Sequence, residues 1–397
     1  MTDHVTVLGF ARTPFGRFGG ALRDLPLPEL GAVAVTAALD RAGVTGDEVD
    51  ELVLGVNFPG SDRSVARQVL LRAGIPQERN ALTVDRACCS SLAAVTTAAR
   101  GLRLGDTAVA VAGGADNLSR VPYFVHEARF GNRIGDIVLT DQLVVSCPHT
   151  GVPRAVQVGA EATEYGVSRA EQDEWAARSQ RLAAEAAAAG RFADEVVPVD
   201  TVDRSGRPAR LDTDEVPRPD TTVAALAALP TVYGSATVTA GNAPNMSTGA
   251  TALVLASAAE CDRRGRDGMA RVSACTQVSG DPQRLASMPA RAAAKALHRA
   301  GLALADIDLI EVNEAFAAVP LVTTLVLADG DRQLAAKLRE RTNVNGGAVA
   351  LGHPTGATGG RLVMTMINAL RRRGGGRGLV TICGGIGEAE ALLVEVG

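Results

Sequence analysis

The sequence predicts an α/β fold in which a mostly parallel sheet is covered by helices on both faces, and three observations carry that prediction. Strand-like apolar runs alternate with helical runs from the start of the chain. Runs such as Ala108–Ala112 are apolar at every position, the pattern of a strand buried on both sides. The third observation is an internal echo: TAVAVAGGA at Thr107–Ala115 returns as GLVTICGGI at Gly378–Ile386, each a strand followed by paired glycines. An internal duplication would place equivalent corners of two halves near one pseudo-twofold axis.

Taken in order, Val5–Phe10 reads as a strand and Ala11–Gly20 as a loop. Residues 28–42 form an amphipathic helix, Val49–Val56 a strand, and Arg63–Ala73 a helix stopped by Gly74 and Pro76. A short strand ends near Asp85, the helical run Leu92–Leu102 follows, and Ala108–Ala112 is the next strand. Residues 119–238 break the rhythm with prolines and polar loops, holding one strong helix, Ser168–Gly190, opened by Ser168-x-x-Glu171. That stretch reads as an inserted lobe. Regular structure resumes at Thr237–Thr239 and continues with the strand Ala250–Ala256, strands at 271–278 and 307–312, and helices at 287–300 and Leu362–Leu370.

Composition narrows the function classes. The chain has 397 residues, 46% of them apolar, enough for a large core; aromatics make up only 3% and the net charge is −4. Few stacking rings and a single basic run, Arg371–Arg373, argue against a nucleic-acid partner; that run reads as cations closing a helix before Gly374. No apolar run reaches the ~18 residues of a membrane helix. The start, with Asp3, His4 and Arg12, is not that of an export signal, so a soluble, cytoplasmic protein is expected. Its six cysteines are scattered without a C-x-x-C pair, which favours free thiols over disulfides or structural zinc.

Four short stretches carry chemistry. Cys88, in LTVDRACCSSLAAV, lies at the start of a helix capped by Ser90 or Ser91, where free N–H groups favour a thiolate; taken alone it reads more readily as a small buried cysteine in a tight corner. His353 sits in GGAVALGHPTGATGGR, where Pro354 keeps it out of the following helix and presents it on a glycine-rich loop; a satisfied turn histidine is the other reading. Asn313, in Asn-Glu-Ala-Phe, ends a strand where polar groups gather in such sheets. Cys383-Gly384-Gly385 ends another strand and exposes backbone N–H groups, whereas Gly385-Ile386-Gly387 fails as a dinucleotide fingerprint because Glu390 replaces the third glycine and a strand follows.

Together these four stretches resemble the thiolases, the enzymes that form or cleave 3-oxoacyl thioesters of coenzyme A, over nearly the whole length. ADNLSRVPY, RPDTTVAALAAL and TVTAGNA are similar to further family segments. The resemblance implies a duplicated five-layer α-β-α-β-α fold, halves at 1–268 and 269–397, a loop domain at about 119–238, and a homodimer or homotetramer. It implies Cys88 as nucleophile, His353 as its base, and Cys383 as acid/base at the substrate's α-carbon. It further implies Asn313 as holder of an oxyanion-binding water, and Gly385 with Cys88 as backbone oxyanion donors. Coenzyme A is implied as substrate or product with no permanently bound cofactor and no metal, its contacts carried by Arg218, Ala243, Pro244 and Phe316.

The chain departs from the family pattern in places. Cys89 and Ser91 stand where small residues are usual, Ile386 and Ala389 replace glycines, and Pro244 replaces a serine on the pantetheine arm. The Met-Gly-x-Thr-Ala-Glu segment is not recognisable in Arg154–Ala162, where Arg154 adds a cation. The coenzyme A channel is therefore expected to be altered, and a pantetheine carried by a protein is an alternative to coenzyme A. A decarboxylating ketosynthase reading is disfavoured by Cys383, which that class lacks; a non-catalytic thioester binder is the reading from another class.

Overall fold

The computed structural model describes residues 4–397 except 145, 204 and 266; Asp3, used in reading the N-terminus, lies outside them. Nine strands form one hydrogen-bonded path. They are β1 (His4–Arg12), β2 (Glu51–Gly55), β3 (Asn80–Val84), β4 (Val109–Asn117), β5 (Ser247–Ala256), β6 (Ala270–Ser279), β7 (Leu309–Val312), β8 (Gly376–Cys383) and β9 (Glu388–Val396). Their order is β7-β8-β9-β6-β1-β5-β4-β2-β3. The two halves meet where β1 pairs antiparallel with β6, His4 opposite Ser273 and Val7 opposite Ala270.

The expected mostly parallel sheet is corrected. Only β2–β3, β2–β4 and β7–β8 pair in parallel, while β1–β5, β1–β6, β4–β5, β6–β9 and β8–β9 are antiparallel. The reason is local. β8 and β9 are joined by a tight turn at 384–387, too short for the helical crossover a parallel pair needs. β4 leads into the long 118–246 excursion, from which the chain returns as β5 running the opposite way. Continuous apolar runs announced double burial, and burial does not fix strand direction.

The main helices are α1 (Leu27–Ala42), α2 (Val65–Arg72), α3 (Ser90–Leu104), α4 (Arg154–Glu164), α5 (Arg169–Ala188), α6 (Met288–Ala300), α7 (Ala318–Leu327) and α8 (Thr358–Arg372). Three apolar cores separate the layers. In one, Leu30, Val35 and Leu39 of α1 meet Leu52, Val111 and Val254 of the first half. In the central core, Leu92 and Val95 of α3 and Leu362 and Met366 of α8 meet strands from both halves. In the third, Ala292 and Ala296 of α6 meet Leu379 and Ala391, and Ala155, Val158 and Trp175 of α4 and α5 join from the inserted lobe. The inserted lobe thus packs on the second half. No described helix is long and apolar enough to cross a membrane.

The two central helices, α3 and α8, meet at their starts. A Cβ at Gly359 would lie 2.7 Å from the Leu92 backbone nitrogen and 2.9 Å from Ser91 Oγ, and Gly360 N–H donates to Ser91 Oγ at 3.0 Å. Only hydrogen fits at Gly359. Gly359→Ala is expected to lower the thermal midpoint by a few degrees, the effect of an overpacked contact costing about 1–3 kcal/mol. A midpoint within error of the parent, followed by circular dichroism, would show that the helices separate without cost.

Candidate active site

Cys88 occupies the corner between β3 and α3. Asp85 accepts the Ala87 N–H at 3.0 Å, Ser90 Oγ accepts the Arg86 N–H at 2.8 Å, and the Ser90 hydroxyl donates to the Ala87 carbonyl at 2.6 Å. Ala87 is held at φ +49°, a left-handed conformation that costs a non-glycine residue about 1–2 kcal/mol. Behind this corner Cys89 is fully buried, and its thiol donates to the Ile382 carbonyl at 3.5 Å, tying the corner to the end of β8. Of the six cysteines, all free, five are buried and Cys88 is half-buried.

The expectation of a resting thiolate at Cys88 is corrected. Burial outweighs the helix start and pushes the thiol up to about 12, with Asp116 and Asp85 adding to the rise and Arg154 opposing it. Cys383, at the end of β8, is completely buried, and desolvation together with Cys88 raises its thiol further. Both cysteines rest as thiols. The influence of Cys88 on Cys383, and of both on Cys89, together with the Cys89–Ile382 hydrogen bond, draws the two strand ends together.

His353 is held from four directions. Its N–H donates to the Asn245 carbonyl and to Ser247 Oγ, both at 3.2 Å; its Nδ1 lies 2.7 Å from Thr358 Oγ1, and its Nε2 3.4 Å from Asn313 Nδ2. The Thr358 hydroxyl has one proton, which it donates to the Pro354 carbonyl at 2.9 Å, so its oxygen accepts from Nδ1–H and leaves Nε2 as the basic nitrogen. Burial, then the charge of Arg361, lowers the imidazole to about 3, so it too is neutral at rest.

The loop after His353 is fixed by Asp116 at the end of β4. One carboxylate oxygen accepts the Gly356 N–H at 2.6 Å and the Thr355 hydroxyl at 2.5 Å; the other accepts the N–H groups of Asn57 and Phe58 at 3.2 and 2.9 Å. Because Asp116 also acts on Cys88, it links the two corners. Asn313 is buried, its N–H donating to Thr381 at 3.0 Å, and its Oδ1 is a buried acceptor without a protein partner. Next to it Glu314 accepts from Trp175, Asn343, Ser179 and Val349, at 2.7 to 3.0 Å, which anchors the Asn-Glu-Ala-Phe strand end to α5 of the inserted lobe.

Gly385 faces the Cys88 corner: a Cβ there would sit 3.0 Å from Arg154 Nη2 and 3.6 Å from Ala87 Cβ. Ala243 and Pro244 lie half-buried in a segment held between two site residues, with Asn242 O accepting the Ala317 N–H at 2.9 Å and Asn245 bonded to His353. Phe316 is half-buried beside the same core. Arg218 is different: it is exposed, its N–H donates to Gln180 Oε1 of α5 at 2.7 Å, and its guanidinium makes no ion pair with a described residue. Arg154, read from sequence as an added cation near the altered loop, acts on Cys88 and Cys383. The segment around it forms α4, whose Glu161 accepts the N–H groups of Leu285, Ala286 and Ser287 and so fixes the approach to α6.

Sequence reasoning missed Thr358, Asp116 and Glu161 as supports. Thr358 could have been found, since it falls one helical turn after Pro354 in the histidine motif; the other two act on partners remote in sequence. Among the described residues no cluster of three metal-ligating side chains occurs.

Residues 5–259 match the family model described as "Thiolase, N-terminal domain" and residues 267–396 that described as "Thiolase, C-terminal domain". The chain is 39% identical over 404 residues to the acetyl-CoA acetyltransferase of Syntrophomonas wolfei subsp. wolfei, covering 100% of both chains. It is 41% identical over 408 residues to the beta-ketoadipyl-CoA thiolase of Pseudomonas knackmussii, again covering 100% of both. Human mitochondrial 3-ketoacyl-CoA thiolase in complex with CoA superposes with a TM-score of 0.92 at 37% identity, over 100% of this chain and 98% of that one.

The histidine geometry gives a direct test. Thr358→Val removes the acceptor of Nδ1–H and is expected to lower kcat by on the order of 10²-fold, while Thr358→Ser, which keeps the oxygen, retains most of it. Equal activities of the two variants would show that Thr358 does not set the tautomer.

Proposed function

Because the chain belongs to the thiolase family, it is an acyltransferase forming or cleaving 3-oxoacyl-CoA thioesters, and we propose that Cys88, His353, Cys383, Asn313 and Gly385 carry that reaction. What supports the assignment is that Cys88 acts on the buried Cys383 thiol, that Asp116 both acts on Cys88 and holds the loop of His353, and that the basic His353 Nε2 meets Asn313.

In the cleavage direction Cys88 Sγ attacks the 3-oxo carbon as its proton passes to His353 Nε2. Neither group ionises alone in this dry site, so the thiolate and imidazolium form together, each stabilising the other. The C2–C3 bond breaks, its electron pair stays on C2 as an enolate, and the Cys383 thiol, kept protonated by burial, donates a proton to C2. Acetyl-CoA leaves, and the acyl group stays on Cys88 as a thioester. A coenzyme A thiol then attacks that thioester and gives its proton to the Cys383 thiolate; the bond from the acyl carbon to Cys88 Sγ breaks, and the departing sulfur takes back the proton held on His353, which restores both thiols and the neutral imidazole. Synthesis runs the same steps backwards.

Charge develops on oxygen at each addition. The N–H groups of Cys88 and Gly385 are proposed to receive it at one carbonyl. His353 Nε2–H, with a water donating to the buried Asn313 Oδ1, is proposed to receive it at the other. Such donors are worth about 3–4 kcal/mol each where they have been removed from comparable sites. Ala243, Pro244 and Phe316 are proposed along the pantetheine arm, and the exposed Arg218 at a phosphate of coenzyme A.

The halves are taken as 1–268 and 269–397, and the protein as a cytoplasmic homodimer or homotetramer. Two features support assembly: β3 is an edge strand with Leu82 43% exposed, and Phe130 and Ile134 of the inserted lobe are 93% and 95% exposed.

Cys383→Ser is expected to separate the half-reactions. Acyl transfer from acetyl-CoA to the enzyme, read as exchange of labelled coenzyme A, should persist, while acetoacetyl-CoA cleavage falls roughly 10²-fold or more. Equal loss of both would make Cys383 a structural residue. In the same assays Arg218→Ala should raise KM for coenzyme A thioesters but not for free pantetheine thioesters; an unchanged KM for both would remove Arg218 from the binding site.

A further inference from the structure

We propose that Arg154 and Gln157 form a carboxylate-binding subsite at the acyl end of the active site, selecting short 3-oxoacyl-CoA thioesters whose acyl chain ends in a second carboxylate. The inference rests on the catalytic reading above and names its substrate class. Arg154 opens α4, and its Nη2 and Cζ lie 3.0 and 3.5 Å from the point where a Gly385 Cβ would stand, with Ala87 Cβ 3.6 Å from that point. The guanidinium therefore looks onto the corner that holds Cys88 and the turn after Cys383.

What surrounds Arg154 is as telling as where it points. Among the described residues it makes no ion pair with a carboxylate, and its Nη1 donates to Gln157 Oε1 at 3.0 Å. Gln157 is itself only 5% exposed, and its Nε2 is buried with no acceptor. The nearby carboxylates are engaged elsewhere: Asp116 by Asn57, Phe58, Thr355 and Gly356, Asp85 by the Ala87 N–H, and Glu161 by the segment entering α6. A guanidinium and an amide nitrogen, side by side and both donors, call for an anionic acceptor with two oxygens.

Reach decides which anion that is. The pantetheine arm is about as long as four extended residues, on the order of 13 Å, so the coenzyme A phosphates cannot return to the thiols. The far carboxylate of a four-carbon diacyl group on Cys88 stands roughly 5 Å beyond the sulfur at about 1.3 Å per bond. A neutral chain of equal length would leave both donors unpaired, which is how a polar site rejects an analogue lacking its partner.

One other anion competes for Arg154. Burial works against ionising Cys147, but hydrogen bonds from Thr150 and His149 together with Arg154 bring its thiol down to about 6. The test therefore compares the full-length enzyme with Arg154→Leu, Gln157→Leu and Cys147→Ser. The substrates are 3-oxoadipyl-CoA and 3-oxohexanoyl-CoA, which have the same number of acyl carbons and differ in the terminal carboxylate. The readout is the ratio of their kcat/KM values, from which any general loss of activity or folding cancels.

The parent is expected to favour 3-oxoadipyl-CoA by about tenfold or more, Arg154→Leu to reduce that ratio by about 10- to 100-fold, Gln157→Leu to reduce it less, and Cys147→Ser to leave it unchanged. A ratio unmoved by Arg154→Leu, or lost equally in Cys147→Ser, would overturn the subsite. If the parent cleaves 3-oxohexanoyl-CoA and rejects 3-oxoadipyl-CoA, the subsite falls and the catalytic reading stands; if it cleaves neither, the catalytic reading falls and takes the subsite with it.

Discussion

The close approach of α3 and α8 is the constraint on which the rest of the site depends. Each helix begins just after a corner of the candidate site, Cys88 before Ser90 and His353 before Thr358. Their starts touch through Ser91, Gly359 and Gly360, with Gly114 of β4 packed on Gly356, so a side chain at Gly359 would push the two helix starts apart and one at Gly114 would displace both Ser91 and the histidine loop. The glycine richness of the histidine motif is thus a packing requirement as well as a loop signature. The duplicated halves supply the two corners, and the antiparallel seam between β1 and β6 brings the halves together.

Burial is the second constraint, and it reverses a naive view of activation. A cysteine at a helix start would carry a lowered thiol in an open site; here desolvation holds Cys88 near 12 and His353 near 3. The resting enzyme keeps its charges unformed. In the proposed reaction, ionisation is therefore coupled to the arrival of an electrophilic carbonyl. The supports are the buried acceptors: Asp116 on the histidine loop, Glu314 on the Asn313 strand end, and Glu161 ahead of α6, each satisfied by three or more donors.

The sequence made the layered α/β class and the four chemical corners legible because each corner is local: a strand, a tight turn and a helix start within about a dozen residues leave their mark in glycine, proline and small polar residues. Strand direction was misread because burial on two faces imposes the same apolar run on β5 and β9 as on a parallel strand. The charge states were misread because helix geometry is visible in sequence and desolvation is not. Arg154 was legible only as an added cation near the altered loop for a related reason: the packing of α4 against the Cys383–Gly385 turn, which brings it near the thiols, leaves no mark in the sequence.

The proposed chemistry turns on Cys88 Sγ carrying the acyl group. The enzyme can be mixed with acetoacetyl-CoA without free coenzyme A, quenched in acid, digested, and its cysteine peptides resolved by mass spectrometry. The acetyl group is predicted on Cys88 alone among the two adjacent cysteines of the corner, at near-stoichiometric level, and absent when His353 is replaced by Ala. Acetylation of Cys89 or Cys383 in its place, or acetylation of Cys88 that is indifferent to His353, would contradict the account.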